Sequence, residues 1–390
     1  MIAGRIAQGL ERRASLANPD PWLVDALGGS STFSGKSVSV KAAMSLIPVY
    51  ASVKILATGI GSLPVNVYRG RGRDRVEDSS APQWELLHEE FNPEQPSDMA
   101  LELMGGHLVG WGNAYAEKVK VSKFGRTIVG ELWPIFPGNV RVSRDKSGRK
   151  VFEIAGNSRS FTEDSILHVP GFGYNGLTGL SPISQAKQSL GVGLAREEWQ
   201  GTFYANNATP PGILTHKGKL SPEAALRLSD SWMARRKTGK VAVLEEDMRY
   251  EAAAISPRDA QFIEAMQFDA SQVAALFQVP PSWIGGSSGD SLTYSTVEGE
   301  ALHWVKFKLR PWLVRFEKAF RHDRDLFADR ELTAKFNVEA LLRGDTAARA
   351  SFYQTMTAIK AYSVNDVRDQ ENLPPIPGGD FDDEEPGAET

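Results

Sequence analysis

The sequence predicts an α/β (α+β) chain in which a strand-rich block is followed by long helices. Three observations carry this expectation. Short runs of alternating apolar residues recur between about residues 60 and 170, with the period of half-buried strands. Three later segments open on Ser-Pro, at Ser181-Pro182, Ser221-Pro222 and Ser256-Pro257. Serine caps free N–H groups there, and proline at the first helical position loses nothing. Finally, 390 residues at 41% hydrophobic and 24% charged is ordinary globular usage, with core for two to three domains. That balance excludes a mainly disordered chain.

The elements follow in order. Residues 1–40 read as an N-terminal arm, mixed in charge and ending in the Gly/Ser-rich stretch Gly28–Ser37. Val40–Ile60 has helical spacing interrupted by Pro48, which breaks or kinks a helix. Leu63–Tyr68 alternates like a short strand. Ser97 is the expected N-cap of a helix running to about Val109. Strands are expected at Ala114–Val121, Thr127–Trp133, Val140–Ser143, Lys150–Ile154 and Ile166–Val169. In the first of these Tyr115, Glu117, Val119 and Val121 share a face, and Asp145-Lys146-Ser147-Gly148 supplies a turn.

The first Ser-Pro helix is expected from Pro182 to about Asn206, a length of ~37 Å. A short α/β segment follows, with strands at Gly212–Thr215 and Lys240–Leu244 around the Ser221 helix. Ser256-Pro257-Arg258-Asp259 is a capping box, opening a helix from Pro257 to about Gln278 that Pro280-Pro281 stops. Ile284–Ser295 is the most loop-like interior stretch. A long helix is expected over Thr296–Asp325 with Pro311 inside it, and a final, mostly helical region after Ala328. The tail from Pro374 is rich in proline, glycine and acids, a composition that favours disorder at its end. There are no internal repeats.

Composition removes several function classes. The chain has no cysteine, so disulfides, cysteine nucleophiles and thiolate metal sites are excluded, which agrees with a reducing compartment. No apolar run reaches the ~18 residues of a membrane span. Met1–Leu10 has no apolar stretch fit for a signal peptide. The net charge of −4 is not that of a protein gripping phosphate backbones over a broad basic face.

Fragments of enzyme motifs occur, each against a plainer reading. Gly171-Phe172-Gly173-Tyr174-Asn175-Gly176 matches G-x-G-x-x-G after a strand. In a dinucleotide fold it would open a helix at once, with an acid ending a second strand ~20 residues on. Here the helix starts at Pro182, and Glu197 and Glu198 fall inside it, which favours a surface loop. Ser30–Ser37 is one glycine short of a phosphate loop, with Lys36 placed for phosphates and Ser37 for magnesium. Val241–Glu246 resembles the acid-tipped strand of an ATPase, with Glu245 in the catalytic position, yet no buried strand precedes Ser30. Gly285-Gly286-Ser287-Ser288-Gly289, followed by Asp290 and His303, imitates a hydrolase elbow and triad but sits in a polar loop after Pro280-Pro281. The six histidines form no metal-ligand spacing; His168 reads as a strand residue, and His322, Asp323 and Asp325 as a solvated helix end. Lys306, Lys308, Arg310, Arg315, Lys318, Arg321 and Arg324 alternate with aromatics along the long helix. They suit either nucleic acid or, preferably, a helix packed by its aromatics that pairs its bases with acids of neighbouring subunits.

Taken together, several stretches resemble the portal proteins of tailed bacteriophages, above all the large family typical of long-tailed phages. They are Gly61–Tyr68, Gly112–Tyr115, Gly179–Ile183, Pro211–Leu214, Phe277–Pro281, Thr293–Ser295, Leu309–Trp312 and Asn365–Arg368 running into Leu373–Asp380. None is diagnostic alone; their order and spacing from about 40 to 380 carry the match.

The resemblance implies a portal fold: a mixed α/β wing, two long stem helices, a small α/β clip, a kinked long wing helix and a helical crown. It places the arm at 1–40, wing at 41–180, stem helix 1 at 181–206, clip at 207–255 and stem helix 2 at 256–281. The tunnel loop falls at 282–296, the long wing helix at 297–330, and the crown with its acidic tail at 331–390. It also implies a non-enzymatic homo-oligomer without cofactor, metal or catalytic residues. Such a ring, usually of twelve, sits at one capsid vertex of the virion and is assembled in the host cytoplasm. Double-stranded DNA passes through it during packaging and ejection. The implied partners are the terminase large subunit, head-tail adaptor, major capsid protein and scaffold, with no membrane.

Site residues follow from that mapping. Gly285, Gly286, Ser287, Ser288, Gly289, Asp290, Ser291, Leu292, Thr293, Tyr294 and Ser295 would line the channel as a flexing loop. Glu197, Glu198, Asp259 and Glu264 are channel-facing candidates on the stem, and Arg235, Arg236, Lys237 and Lys240 are docking candidates on the clip. Twelve chains would carry a formal charge of about −48, suiting a conduit that must not hold its cargo. The rival functions are a nucleotide hydrolase built on Lys36 and Glu245, and a head or tail adaptor.

Overall fold

The computed structural model describes residues 32–70, 75–123, 125–205, 212–215, 218, 221–237, 248–252, 270–286, 299–300, 302–338, 346–371 and 373–381. They fall into two compact units. The larger takes the described residues up to 286 together with Phe307–Phe336; the smaller takes those at 299–306 and from Asn337 onward.

The larger unit opens with helix α1, Val40–Ala43, capped by the Ser39 hydroxyl, and α2, Ile47–Gly61. Pro48 stands in the first turn of α2, where its missing N–H costs nothing, so the break falls just ahead of it. Strands β1, Val65–Arg69, and β2, Val76–Glu77, follow. A short ribbon, β3 (Glu90–Asn92) with β4 (Gln95–Pro96), leads into α3, Ser97–Trp111. Ser97 is therefore a helical residue rather than the expected cap; its hydroxyl donates instead to the Leu87 carbonyl. Helices α2 and α3 pack closely, since a Cβ on Gly105 would lie 3.1 Å from Ile60.

Two three-stranded antiparallel sheets follow. The expected strand block appears as β5 (Asn113–Lys123), β6 (Arg126–Ile135), β7 (Val140–Arg144), β8 (Lys150–Ile154) and β10 (Ile166–Pro170). A further strand, β9, Ser160–Thr162, joins them. The sheet orders are β10-β5-β6 and β7-β8-β9, and Tyr115, Phe152, Phe161 and Ile166 form a shared core cluster. Both faces of the first half of β5 are covered, because Ala114, Ala116 and Lys118 are buried as well as Tyr115.

After β10 come α4, Pro182–Gln185, and α5, Lys187–Ala205, in place of one continuous helix. Ala186 leaves helical geometry at φ −94°, ψ 13°. Strand β11, Gly212–Thr215, pairs antiparallel with β12, Arg249–Ala252, and between them lies α6, Pro222–Lys237, whose Trp232 meets Tyr250 at 5.3 Å. The strand expected at Lys240–Leu244 and the helix start at Pro257 lie outside the described residues. The chain is helical again over 270–277 and leaves the helix at Gln278, φ 57°.

The expected long helix ends earlier than its composition suggests. A π turn, Val305–Leu309, precedes α7, Arg310–His322, so the interruption at Pro311 takes the form of a widened turn before a helix that has proline in its first turn. Leu313, Phe316 and Phe320 are buried on α7 together with Glu317. Glu317 accepts from Arg310 Nη1 at 2.8 Å, Lys335 Nζ at 3.0 Å and the Phe336 amide at 3.1 Å. Arg310 thus finds its acid within its own chain, not in a neighbouring subunit. Residues Leu332–Phe336 form β13, which pairs with β1 in the order β13-β1-β2. The segment assigned to the crown from 331 therefore begins with a strand of the larger unit. Its alternating buried Leu332, Ala334 and Phe336 lie opposite Arg69, Val67 and Val65.

Asp323 and Asp325 are no solvated helix end. The buried Lys118 ammonium lies 2.7 and 2.9 Å from the two Asp323 oxygens and 3.0 Å from Asp325. Lys120 reaches Asp325 at 2.9 Å. Burial alone would raise the Asp325 pKa, but hydrogen bonds from Lys120 and Lys118 outweigh it and hold the carboxyl low.

In the smaller unit, α8 (Thr346–Ala358) is followed by α9 (Val364–Gln370), which opens on a reciprocal cap between Ser363 and Asp366. Asn365 fastens the following segment, donating to the Ile376 carbonyl at 3.0 Å and to Asp380 at 2.9 Å.

Two stability predictions follow from the larger unit. Lys118→Ala strands the buried Asp323 carboxylate and leaves Asp325 with Lys120 alone; it is expected to cost about 3–5 kcal/mol in urea denaturation, whereas Lys120→Ala, at an exposed pair, costs under about 1 kcal/mol. His107 is buried on α3 beside Trp111 and Phe136, and burial pushes its pKa down to about 4. Its folded value lies below the unfolded one, so stability is full above about pH 6.5 and falls as pH drops toward 4. His107→Leu is expected to flatten that slope in thermal scans at pH 4–7.

Candidate functional site

The helix α5 projects from a root built by backbone contacts. Gly112 ends α3 with φ 75°, a conformation that favours glycine. The Gly171 amide donates to its carbonyl at 2.8 Å. Gly179 lies against the same carbonyl so closely that a Cβ there would sit 2.0 Å from the oxygen. Asn113 locks the junction: its Oδ1 accepts from the Gly179 amide at 2.8 Å, and its Nδ2 donates to the Gly179 carbonyl at 2.8 Å.

His168 supports Asn113 from the other side. Its Nε2 is 3.0 Å from Asn113 Oδ1, and its Nδ1 is 2.6 Å from Lys150 Nζ. Burial, reinforced by the Lys150 ammonium, pushes the His168 pKa down to about 3. The neutral ring therefore accepts from Lys150 at Nδ1 and donates from Nε2 to Asn113. Burial likewise lowers the Lys150 pKa. His168 is thus a strand residue, as its neighbours suggest, and it has a positioning task.

Beyond this junction, the Leu180 amide donates to the Phe172 carbonyl at 2.7 Å and closes the loop. Ser181 then acts twice: its hydroxyl donates to the Gly110 carbonyl at 2.7 Å and accepts from the Ser184 amide at 3.2 Å. The serine that caps α4 also fastens it to α3. The G-x-G-x-x-G match at Gly171–Gly176 is spent on this close packing and on a turn, and the next helix starts at Pro182.

The described end of the arm grips the first turns of α5. Thr32 is buried, and a Cβ on Gly191 would meet its hydroxyl at 2.6 Å. The Phe33 amide donates to Gln188 Oε1 at 3.1 Å, and Lys36 forms an ion pair with Glu198. Thr32 closes the turn by donating to the Lys36 carbonyl from its amide, 2.8 Å, and its hydroxyl, 2.9 Å. The phosphate-loop match is therefore a tight turn whose lysine is committed to a carboxylate; Glu245 lies outside the described residues.

The expected site residues divide accordingly. Glu197 and Glu198 are exposed on α5, and Glu198 is the one held by Lys36. Arg235, Arg236 and Lys237 form the last turn of α6. Gly285 ends a 3₁₀ turn, Pro281–Ile284, at φ 84°, and the Gly286 amide donates to the Pro281 carbonyl at 2.7 Å. These two glycines stop the turn. Ser287, Ser288, Gly289, Asp290, Ser291, Leu292, Thr293, Tyr294, Ser295, Asp259, Glu264 and Lys240 lie outside the described residues. Sequence reasoning missed Asn113, Thr32, Gln188 and Gly191; glycine at 191 and 193 inside a helix was the available signal. Among the described residues no group of three or more acids or histidines could hold a metal, and no helix is long and apolar enough to cross a membrane.

Known proteins share this fold. The family model described as "Phage portal protein" matches residues 48–372. A "Probable portal protein" of Streptomyces phage phiC31 is 31% identical over 90% of this chain and 79% of its own. The crystal structure of an HK97 family phage portal protein from Corynebacterium diphtheriae superposes with a TM-score of 0.58 at 15% identity, covering 77% of this chain and 95% of the other. A chain from the neck of a native gene transfer agent particle, computed with C12 symmetry, gives 0.55 at 22% identity over 91% and 99%.

The glycine junction yields a direct prediction. Gly179→Ala is expected to lower stability by at least about 3 kcal/mol, the upper end of overpacking costs, because the added Cβ would collide with backbone atoms. Gly148→Ala, where nothing lies within 4 Å, should cost only the left-handed backbone, about 1–2 kcal/mol. Urea midpoints of the two variants measure the difference.

Proposed function

The chain belongs to the phage portal protein family, and from that premise we propose that twelve copies form a ring at one capsid vertex, a conduit for double-stranded DNA. The observation that carries this reading is α5. It is a helix of 19 residues, ~28 Å long, of which only Leu190 and Gly191 are buried. A projecting helix that leaves Val192, Trp199 and Tyr204 exposed needs neighbours to cover it, and a ring supplies them.

In this reading α5 is the first stem helix and the helix over 270–277 is the end of the second. The β11-β12 pair with α6 is the clip, on which the terminase large subunit docks during packaging and the head-tail adaptor afterwards. Arg235, Arg236 and Lys237 lie on that element, with Lys240 just after it. The 3₁₀ turn at Pro281–Ile284 is a stiff base from which 287–295 enters the channel. The stem carries Glu197, and the formal charge of −4 per chain keeps DNA from binding tightly. The protein works without catalysis, alongside major capsid protein and scaffold, and is assembled in the host cytoplasm before residing in the virion.

Deleting 286–294 is expected to leave ring assembly intact while packaging or DNA retention falls; loss of the ring would mean that the segment serves assembly instead. Affinity for duplex DNA at physiological salt is expected to be poor, and submicromolar binding with a steep salt slope would contradict a passive conduit.

A further inference from the structure

The turn that grips α5 carries the most exposed large hydrophobic side chain among the described residues, Phe33, at 97% exposure. Its backbone is held, not loose. The Phe33 amide is bonded to Gln188, Thr32 is packed on Gly191, Lys36 is paired with Glu198, and Gly35 turns the chain at φ 76°. An aromatic ring presented to water on a fastened turn has the form of an interface anchor, a residue type that buries about 150–250 Å² on docking.

A second apolar pair lies on the other side of the same helix root. Leu46 packs against Gly193, with its methyl 3.4 Å from where a Cβ would be. The residues that follow it on α2, Ile47 and Tyr50, are 75% and 51% exposed and share one helix face. Gln188, Gly191 and Glu198, the contacts of the turn, lie on one flank of α5. At 3.6 residues per turn, Gly193 lies about 140–160° round the helix from each of them. The turn that carries Phe33 and the start of α2 thus meet α5 on opposite flanks.

A head-to-tail ring requires this kind of layout, because each subunit must offer two different surfaces, one to each neighbour. We infer that Phe33 of one copy packs against Ile47 and Tyr50 of the next copy, so that the arm's turn clasps adjacent stem roots together. This inference rests on the ring reading above and deepens it by naming the residues in contact.

The absence of cysteine makes the test clean. The full-length chain is prepared with Phe33→Cys and Tyr50→Cys together, and with each alone, in rings of the size wild type forms. After mild oxidation the double variant is expected to give a ladder of covalent multimers on a non-reducing gel, collapsed by reductant, since a disulfide needs Cα atoms within about 7 Å. Rings mixed from the two single variants should give covalent dimers, and either single variant alone none. Normal rings without cross-links would overturn the contact while leaving the ring intact. A wild-type chain that never forms rings would overturn the ring reading and this contact with it. As a second readout, Phe33→Ala is expected to raise the concentration needed for assembly at least tenfold, with the circular dichroism and melting temperature of the unassembled chain unchanged. Unaltered assembly would likewise overturn the contact.

Discussion

The meeting of three backbones at Gly112, Gly171 and Gly179 determines where the chain beyond residue 181 can go. A side chain on Gly112 or Gly179 would collide with main-chain atoms there, so that spot admits only glycine. Asn113 converts the close approach into a fixed one by satisfying both polar groups of Gly179. The neutral His168 and the partly desolvated Lys150 behind it keep Asn113 in one orientation. Ser181 then hands the geometry to α4. The value of the arrangement lies in rigidity: the loop from β10 to α4 is tied down at Gly171, Gly179 and Ser181.

Two buried charges do the corresponding work for the long helix. Lys118 projects from β5 into Asp323 and Asp325, just past the end of α7, while Glu317 within α7 takes Arg310, Lys335 and the amide of Phe336. Burying ions in this way is weak support for stability in itself, since desolvation offsets much of the attraction. What it does impose is register: a slip of α7 along β13 would leave these groups unpaired in a dry interior. The same helix shows Arg315 bonded to the Pro170 carbonyl, so its bases are largely consumed in holding the subunit together rather than offered to nucleic acid.

Five of the six strands from 113 to 170 were legible because alternation and turn residues coincide there, at Asp145–Gly148 above all; the three-residue β9 was not. The α2 start was legible because proline announces it. Strand β13 was not: five residues with alternating Leu332, Ala334 and Phe336 carry too little pattern, and their partner β1 is more than 250 residues upstream. The break at Ala186 has no local signal, since no proline or glycine marks it. At the site itself, glycine-rich stretches imitated nucleotide and hydrolase motifs because close backbone approach demands glycine whatever the purpose. Lys36, which imitates a phosphate ligand in sequence, is paired with Glu198. The role of Asn113 was invisible in one dimension, as its partners lie 55 and 66 residues away.

The central claim is that this subunit is made to stand in a ring around a channel, and its native mass in solution addresses that most directly. Light scattering on the full-length protein, with negative-stain images of the same sample, is expected to give about 512 kDa, twelve chains of 42.7 kDa, seen as rings with a central hole. A species that remains monomeric or dimeric at every concentration, or a large assembly without a central opening, would contradict it.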